Sequence, residues 1–303
     1  MPFDLYFAGA VNKHAEAYLM EHQANRLQSQ LIDRKNIKHW YDNKPEKSKL
    51  FIDSGAYTAY TKGIEISVDD YINYLNSISD NCTIFAQLDT IPGRFNQPKT
   101  KEDILKAPEL SWQNYLYMRE RLNEPKKLIP IFHQGESYKW LHNMLEWTDE
   151  NGEHIPYIGI SPAVDVPGLT DFLDKSFNII AKSSNPKVKT HAFGMTQLKM
   201  LEMYPYTSAD STSWKLSAAM GYIYTPWGLV RISNRKMGDK TNLFNQTDEA
   251  FEKVQSYLEN IGFTIDEATE HDYNRYIINI KYLLDWAENY KFKGLRHHKK
   301  SLI

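Results

Sequence analysis

Cysteine is nearly absent from this chain of 303 residues, in which Cys82 is the single example. One thiol excludes an intramolecular disulfide and every zinc site built from several cysteines, and it suits a reducing compartment. Long apolar runs are missing as well. No stretch approaches the ~20 apolar residues that a bilayer-spanning helix needs. The opening, MPFDLYFAGAVNKHAEAYLM, lacks the basic start and continuous apolar core of a secretory signal. An excess of one charge is missing too. Lys and Arg number 36 against 38 Asp and Glu, a net charge of -2, so any attraction to nucleic acid must come from a local patch. The chain has no internal repeat, no low-complexity tract, no Gly-rich phosphate loop, no HExxH and no Ser-centred nucleophile elbow. These absences lead us to expect a cytoplasmic protein with no membrane partner, no cofactor and no metal.

What the chain does contain is apolar residues in short bursts. At 42% hydrophobic and 13% aromatic it can bury a full core. The runs LYFAGA (5–10), LFIDSG (50–55), TIFAQLD (83–89), LIPIFHQG (128–135), YIGIS (157–161), KTHAFG (189–194), YTSAD (206–210) and LVRIS (229–233) are spaced to leave room for helices in most gaps. Eight strands with interleaved helices predict a parallel sheet, and the count favours an α/β fold of the (β/α)8 TIM-barrel type over an open sheet. For the eighth strand, residues 222–224 compete with 229–233. In SVDDYINYLNSIS (67–79), Ser67 and Asp70 make a capping-box pattern, and Val68, Tyr71, Ile72, Leu75 and Ile78 share one face of a helix. Segments 102–121 and 138–147 read the same way. Residues 32–49 read as an exposed loop. We therefore expect a barrel over 1–240 and a small helical extension over 241–303, with helices at 247–260 and 270–290. Its basic tail carries Lys291, Lys293, Arg296, Lys299 and Lys300 around His297 and His298.

Barrel active sites lie at the C-terminal ends of the strands. On that rule Asp53, Asp89 and Asp210 end three different strands. His133, Gln134, Gly135 and Glu136 follow a fourth. Gly159 and Ser161 close a fifth, and His191 to Gly194 a sixth. Each has a plainer reading. Asp210, set among Ser208, Ser211, Thr212 and Ser213, caps the following helix or does chemistry at the end of its strand. Asp53, before Ser54 and Gly55, suits a tight turn, and Asp89 an Asx-turn. Together, the carboxylates suit glycosidic-bond chemistry, in which one attacks the anomeric carbon and another manages a proton.

These residues also resemble a family. FIDSGAYTAY is similar to the DSGGF-type segment of tRNA-guanine transglycosylases, and FHQGE to their VQGG-type segment. YIGIS is similar to their glycine-rich segment. HAFGMTQLKMLEMYPYTSADSTSW follows the order of their MGVG segment, helix and nucleophile strand. The resemblance covers roughly residues 50 to 235. It is nearest to the branch carried by bacteriophages and genomic islands, DNA-guanine transglycosylases that place 7-deazaguanines in DNA.

The resemblance implies that Asp210 is the nucleophile, holding the sugar covalently after guanine leaves, and that Asp53 is the acid/base beside the reacting base. It implies that Asp89 binds the heterocycle's edge and that Gln134 and Gly159 contact its carbonyl, Gly159 through backbone N–H. Ser54, His133, Gly135 and Gly194 complete the implied substrate set; Tyr57 and Trp214 are aromatics near the motifs that either help hold the base or, as the plainer reading, pack in the core. The implied partners are nucleic acid, DNA before tRNA, and a free 7-deazaguanine of the preQ0 or preQ1 kind. Two departures stand out: Ala56 replaces the second glycine of DSGGF, and one cysteine cannot build the Cys3His zinc site of the tRNA enzymes. Rival readings are the same chemistry on tRNA, a barrel glycoside or nucleoside hydrolase, and a nucleic-acid-binding barrel without catalysis.

Overall fold

The computed structural model describes residues 3–9, 12–32, 34–162, 167–195, 197–233 and 242–294. Nine strands run parallel: β1 (Asp4–Ala8), β2 (Asn25–Ser29), β3 (Leu50–Asp53), β4 (Ile84–Ala86), β5 (Leu128–Ile129), β6 (Ile131–His133), β7 (Tyr157–Ser161), β8 (Lys189–Ala192) and β9 (Ser208–Ser211). Their order in the sheet is β5-β4-β3-β2-β1-β9-β8-β7-β6. The two end strands are consecutive pieces of one segment, split at Pro130, whose ring removes a backbone donor. The sheet therefore curls into a nearly closed, TIM-barrel-like cylinder. Its strand segments number eight once β5 and β6 are joined.

The barrel rests on alternation, since successive strand side chains point to opposite faces. Tyr6, Ala8, Leu27, Phe51, Ile84, Ala86, Ile129 and Ile131 form one buried cluster that fills the inside, with Tyr157 and Phe193 against it. Their outward neighbours join a second, larger core under the helices. Each fully buried aliphatic or aromatic side chain of this kind stabilises by about 1.5–3 kcal/mol relative to exposure.

Helices fill the gaps: α1 (Lys13–Glu21), α2 (Arg34–Asn43), α3 (Ala56–Lys62), α4 (Val68–Ile78), α5 (Lys101–Arg119), α6 (Tyr138–Glu146), α7 (Leu169–Lys182), α8 (Leu198–Met203) and α9 (Ser213–Ala219). In α4, Ser67 Oγ accepts from Asp70 N at 3.2 Å, and Tyr71, Ile72 and Leu75 are the buried face, as the periodicity predicts. The predicted helices at 102–121 and 138–147 are α5 and α6.

Two expectations are corrected. The segment 229–233 is not a barrel strand. Residues Gly228–Arg231 (β11) pair antiparallel with Tyr222–Thr225 (β10) in a separate two-stranded sheet. The remaining barrel strand is β2, whose sequence NRLQS holds a single apolar residue. It is tolerated because Arg26 is buried with partners. Its guanidinium donates to Phe7 O and Gly9 O, pairs with Glu16, and lies 5.9 Å from the Trp40 ring centre. A buried charge so satisfied no longer reads as a surface residue. Likewise residues 32–49 are not simply a loop, because α2 buries Ile37 and Trp40 completely.

C-terminal helices follow: α10 (Asp248–Asn260), α11 (Ile265–Glu270) and α12 (Asp272–Glu288). The first and third match the two predicted from periodicity, though α12 buries Ile278 where the predicted face had Ile277. Inside α12, Asn279 Nδ2 donates to Trp214 O at 2.9 Å and its Oδ1 accepts from Tyr224 N at 2.8 Å, tying the helix to α9 and the hairpin. Of the predicted basic tail, Arg296, His297, His298, Lys299 and Lys300 lie outside the described residues. Among the described residues no helix is long and apolar enough to cross a membrane.

Candidate active site

A cavity of about 740 Å³ opens at the C-terminal ends of the strands. Its wall includes Asp53 and Ser54 after β3, Asp89 after β4, His133 to Glu136 after β6, Ser161 at the end of β7, Phe193 after β8, and Tyr57 on α3. A second hollow of about 630 Å³ lies where β5 and β7 begin. There Arg119 pairs with Asp149 at 3.5 Å, and none of the converging strand-end carboxylates is present. Strand polarity makes the first cavity the candidate site.

Asp53 sits on the inward parity of β3, in line with Phe51. Its Oδ2 accepts from Gly55 N at 2.9 Å, the tight turn foreseen for DSGA. Burial pushes its carboxyl from an ordinary 3.8 up to about 6. The nearby charges of Asp210 and Asp89 push the same way, against the Gly55 N–H. Gly55 is left-handed at φ 78°, and a Cβ there would stand 2.6 Å from Leu31 Cβ and 2.9 Å from Ser29 Oγ. Gly55→Ala should therefore destabilise by about 1–3 kcal/mol through backbone strain and overpacking. Urea unfolding checks this; an unchanged midpoint would mean the turn is free to shift.

Asp89 does not form the foreseen Asx-turn: among the described residues its carboxylate accepts from the Gln87 side chain and from no backbone N–H two residues on, while the Thr90 N–H goes to Ser111 Oγ at 2.8 Å. Its carboxylate takes Gln87 Nε2 on Oδ1 and faces His133 Nε2 at 3.4 Å on Oδ2. The other His133 nitrogen lies 3.1 Å from Glu136 Oε1. Burial alone would push the His133 imidazole down, but Asp89 and Glu136 on either side outweigh it and hold it up to about 10. His133 is thus an imidazolium clamped between two carboxylates, and it fixes the Asp89 carboxylate at the cavity wall.

The structure removes the capping reading of Asp210. The cap of α9 is Thr212, and no Asp210 atom accepts from the helix's first N–H groups. Asp210 is 7% exposed and points into the barrel, on the same parity as Ser208. Its Oδ1 accepts from Gly194 N at 2.9 Å and lies 3.3 Å from His191 Nε2. Among the described residues Oδ2 has no partner. One oxygen is anchored, and the other is left with unshared lone pairs. That is the arrangement a carboxylate nucleophile requires.

Several implied substrate contacts are corrected. The Gly159 N–H donates to Pro130 O at 2.8 Å within the barrel ladder, so it cannot reach a ligand. The glycine is needed for space, since a Cβ there would lie 2.5 Å from the Phe193 ring. The Gly194 N–H serves Asp210. Trp214, fully buried with its Nε1 on Ser211 O at 3.1 Å, follows its plainer reading as core packing. Ser54 stays on the cavity wall, but it is largely buried, with Oγ 3.4 Å from Ala56 N and its carbonyl taken by Gln30. Gln134 and Gly135 do line the cavity, and Tyr57, 70% exposed, stands on its wall.

The sequence reading places His191 at a strand end but gives it no role in the site. Its only signal was position: it lies two residues before Phe193 and shares the inward parity. Among the described residues no cluster of three His, Cys, Asp or Glu side chains is arranged to hold a metal ion. In comparisons with known proteins, no family model and no curated sequence matches the chain.

Proposed function

We propose that the protein is a base-exchange glycosyltransferase that replaces guanine in DNA with a 7-deazaguanine through a covalent aspartyl-glycosyl intermediate. The observation that carries this reading is the Asp210 carboxylate on β9, anchored on one oxygen and open on the other, with the raised-pKa Asp53 and the clamped Asp89 on the adjacent strands β3 and β4 at the same end of the barrel. A carboxyl pushed up to about 6 suits the acid/base role beside a carboxylate nucleophile.

In this reading Asp210 Oδ2 attacks C1′ of the target nucleotide, and the C1′–N9 bond breaks. Protonated Asp53 supplies the proton that the departing guanine takes up. The incoming 7-deazaguanine then attacks C1′ with its N9, gives a proton to Asp53, and releases Asp210. Two inversions give net retention. Asp89 accepts hydrogen bonds from the N–H edge of either base. A base held in the stack cannot reach a recessed carboxylate, so duplex substrate is flipped, and the cavity volume falls within the range of nucleotide-sized pockets. Tyr57 at the wall offers a ring for the extruded base. The DNA preference over tRNA rests on the sequence resemblance and on the lack of cysteines for a zinc appendage.

The test is to incubate the protein with duplex DNA, or separately with tRNA, plus preQ0 or preQ1, and to analyse digested nucleosides by mass spectrometry. A deazaguanine nucleoside in DNA supports the reading. Its appearance in tRNA alone keeps the chemistry and reverses the substrate. Base release without incorporation favours the hydrolase, and binding without either favours a non-catalytic barrel.

A further inference from the structure

Behind Asp210 a line of hydrogen bonds runs down into the barrel, and no part of the proposed chemistry has used it. His191 Nε2 faces Asp210 Oδ1 at 3.3 Å, His191 Nδ1 faces Ser208 Oγ at 2.5 Å, and Ser208 Oγ faces the Tyr157 hydroxyl at 2.5 Å. Four residues from three adjacent strands, β7, β8 and β9, thus form one chain on the inside of the barrel. His191 and Ser208 are 0% exposed. The ring of His191 is walled by Phe51 at 4.7 Å, Phe193 at 4.6 Å and Tyr6 at 5.9 Å between centroids. The charged or titratable groups acting on it are Asp210, the more distant Asp4, and the hydroxyls of Tyr6 and Tyr157.

Proton counting along this chain has one consistent solution for a neutral ring. Burial lowers the imidazole's proton affinity, against the pull of Asp210. A neutral imidazole has one N–H and one lone pair. A carboxylate oxygen only accepts, so the N–H must be at Nε2. Nδ1 then accepts, and the single hydroxyl proton of Ser208 goes to it. Ser208 Oγ in turn accepts from Tyr157, whose phenol is kept protonated by burial. Each polar hydrogen of His191, Ser208 and Tyr157 then meets an acceptor within the chain.

We propose that His191 is a positioning residue for the reaction proposed above, a neutral imidazole whose Nε2–H, fixed by Ser208 and Tyr157, holds Asp210 Oδ1 so that Oδ2 faces the sugar. The proposal rests on that reaction, and it adds three residues to it. The hydroxyls matter because they select the tautomer. Without Ser208 the ring is free to carry its proton on Nδ1, which turns an Nε2 lone pair toward Asp210. Ser208→Ala should therefore approach the effect of losing the imidazole, and the two changes should be strongly non-additive in a double-mutant cycle. A purely packing role for His191 predicts neither.

The experiment has two arms on the full chain. In the first, ¹⁵N-labelled histidine rings are followed by long-range ¹H–¹⁵N NMR from about pH 5 to 8. A neutral Nε2–H ring for His191, shifting toward the other tautomer in Ser208→Ala, is the expected result. A doubly protonated ring or an Nδ1–H ring in the unaltered protein overturns the proposal, whether or not the protein exchanges bases. In the second arm, single-turnover exchange is measured. His191→Phe, which suits the aromatic surroundings, should lower kcat about 10- to 100-fold, the scale typical of outer residues that orient a functional group, with little change in KM. His191→Gln, which keeps a donor near the Nε2 position, should recover most of that loss. Full activity in His191→Phe and Ser208→Ala overturns the proposal while leaving base exchange intact. An unaltered protein with no exchange removes the base-exchange reading, and the ring spectrum then decides the tautomer on its own.

Discussion

Asp210→Asn is expected to abolish base exchange, by at least about 10⁴-fold, as when a covalent nucleophile is removed from a preorganised site. The substitution is chosen for what it keeps. The asparagine Oδ1 accepts the same two hydrogen bonds from Gly194 N and His191 Nε2 that the carboxylate accepts now. The amide nitrogen takes the place of Oδ2, the oxygen without a partner, and an amide is no nucleophile. Stability should stay within about 1 kcal/mol of the unaltered protein, because no buried donor loses its acceptor. Two measurements separate the effects: urea unfolding for stability, and a denaturing gel for a covalent DNA adduct formed without free deazaguanine. An adduct that persists in Asp210→Asn would move the nucleophile elsewhere, with Asp53 as the first alternative.

The second large effect belongs to Asp53, and its signature is pH. With its carboxyl pushed up to about 6, it is protonated in acid and loses the proton near neutrality. Guanine departure draws on the protonated form, so the single-turnover rate of adduct formation should fall about tenfold per pH unit above 6. In Asp53→Asn that dependence should vanish, and the rate at pH 6 should drop by roughly 10²–10⁴-fold. The same shift affects stability. The folded state holds this proton more tightly than the unfolded chain, whose carboxyl titrates near 3.8. The stabilisation is therefore complete below about pH 4 and is lost as pH rises through 6, by on the order of 3 kcal/mol. Subtracting the unfolding free energy of Asp53→Asn from that of the unaltered protein at each pH isolates it. A flat difference would mean that the carboxyl titrates normally and that another group supplies the proton.

The parts that were legible in advance share one property: local pattern carries them. Short apolar runs such as LFID and YIGIS mark barrel strands because both of their faces are buried. SVDDYINYLNSIS marks a helix because cap and stripe agree. The strand-end rule places Asp53, Asp89 and Asp210 at one end of the barrel from sequence alone. What misled was polarity. NRLQS reads as surface, yet β2 is a barrel strand, because Arg26 finds backbone carbonyls and Glu16 within the fold. LVRIS reads as a strand and is one, but Gly228–Arg231 pairs with its own hairpin partner and not with the barrel.

The sequence by itself therefore determined the α/β alternation, the end of the barrel at which the carboxylates gather, and the helical character of the C-terminal segment. It did so through contacts between near neighbours and through the twofold and 3.6-residue periods. Only the tertiary structure decided what each polar group faces. It turned Gly194 from a ligand contact into an anchor of Asp210, assigned the Gly159 N–H to Pro130, clamped Asp89 with His133, and set His191, Ser208 and Tyr157 in line behind Asp210. Those partners come from strands 16 to 51 residues apart in the chain. A hydrogen bond across that separation depends on sheet register, which no local pattern encodes.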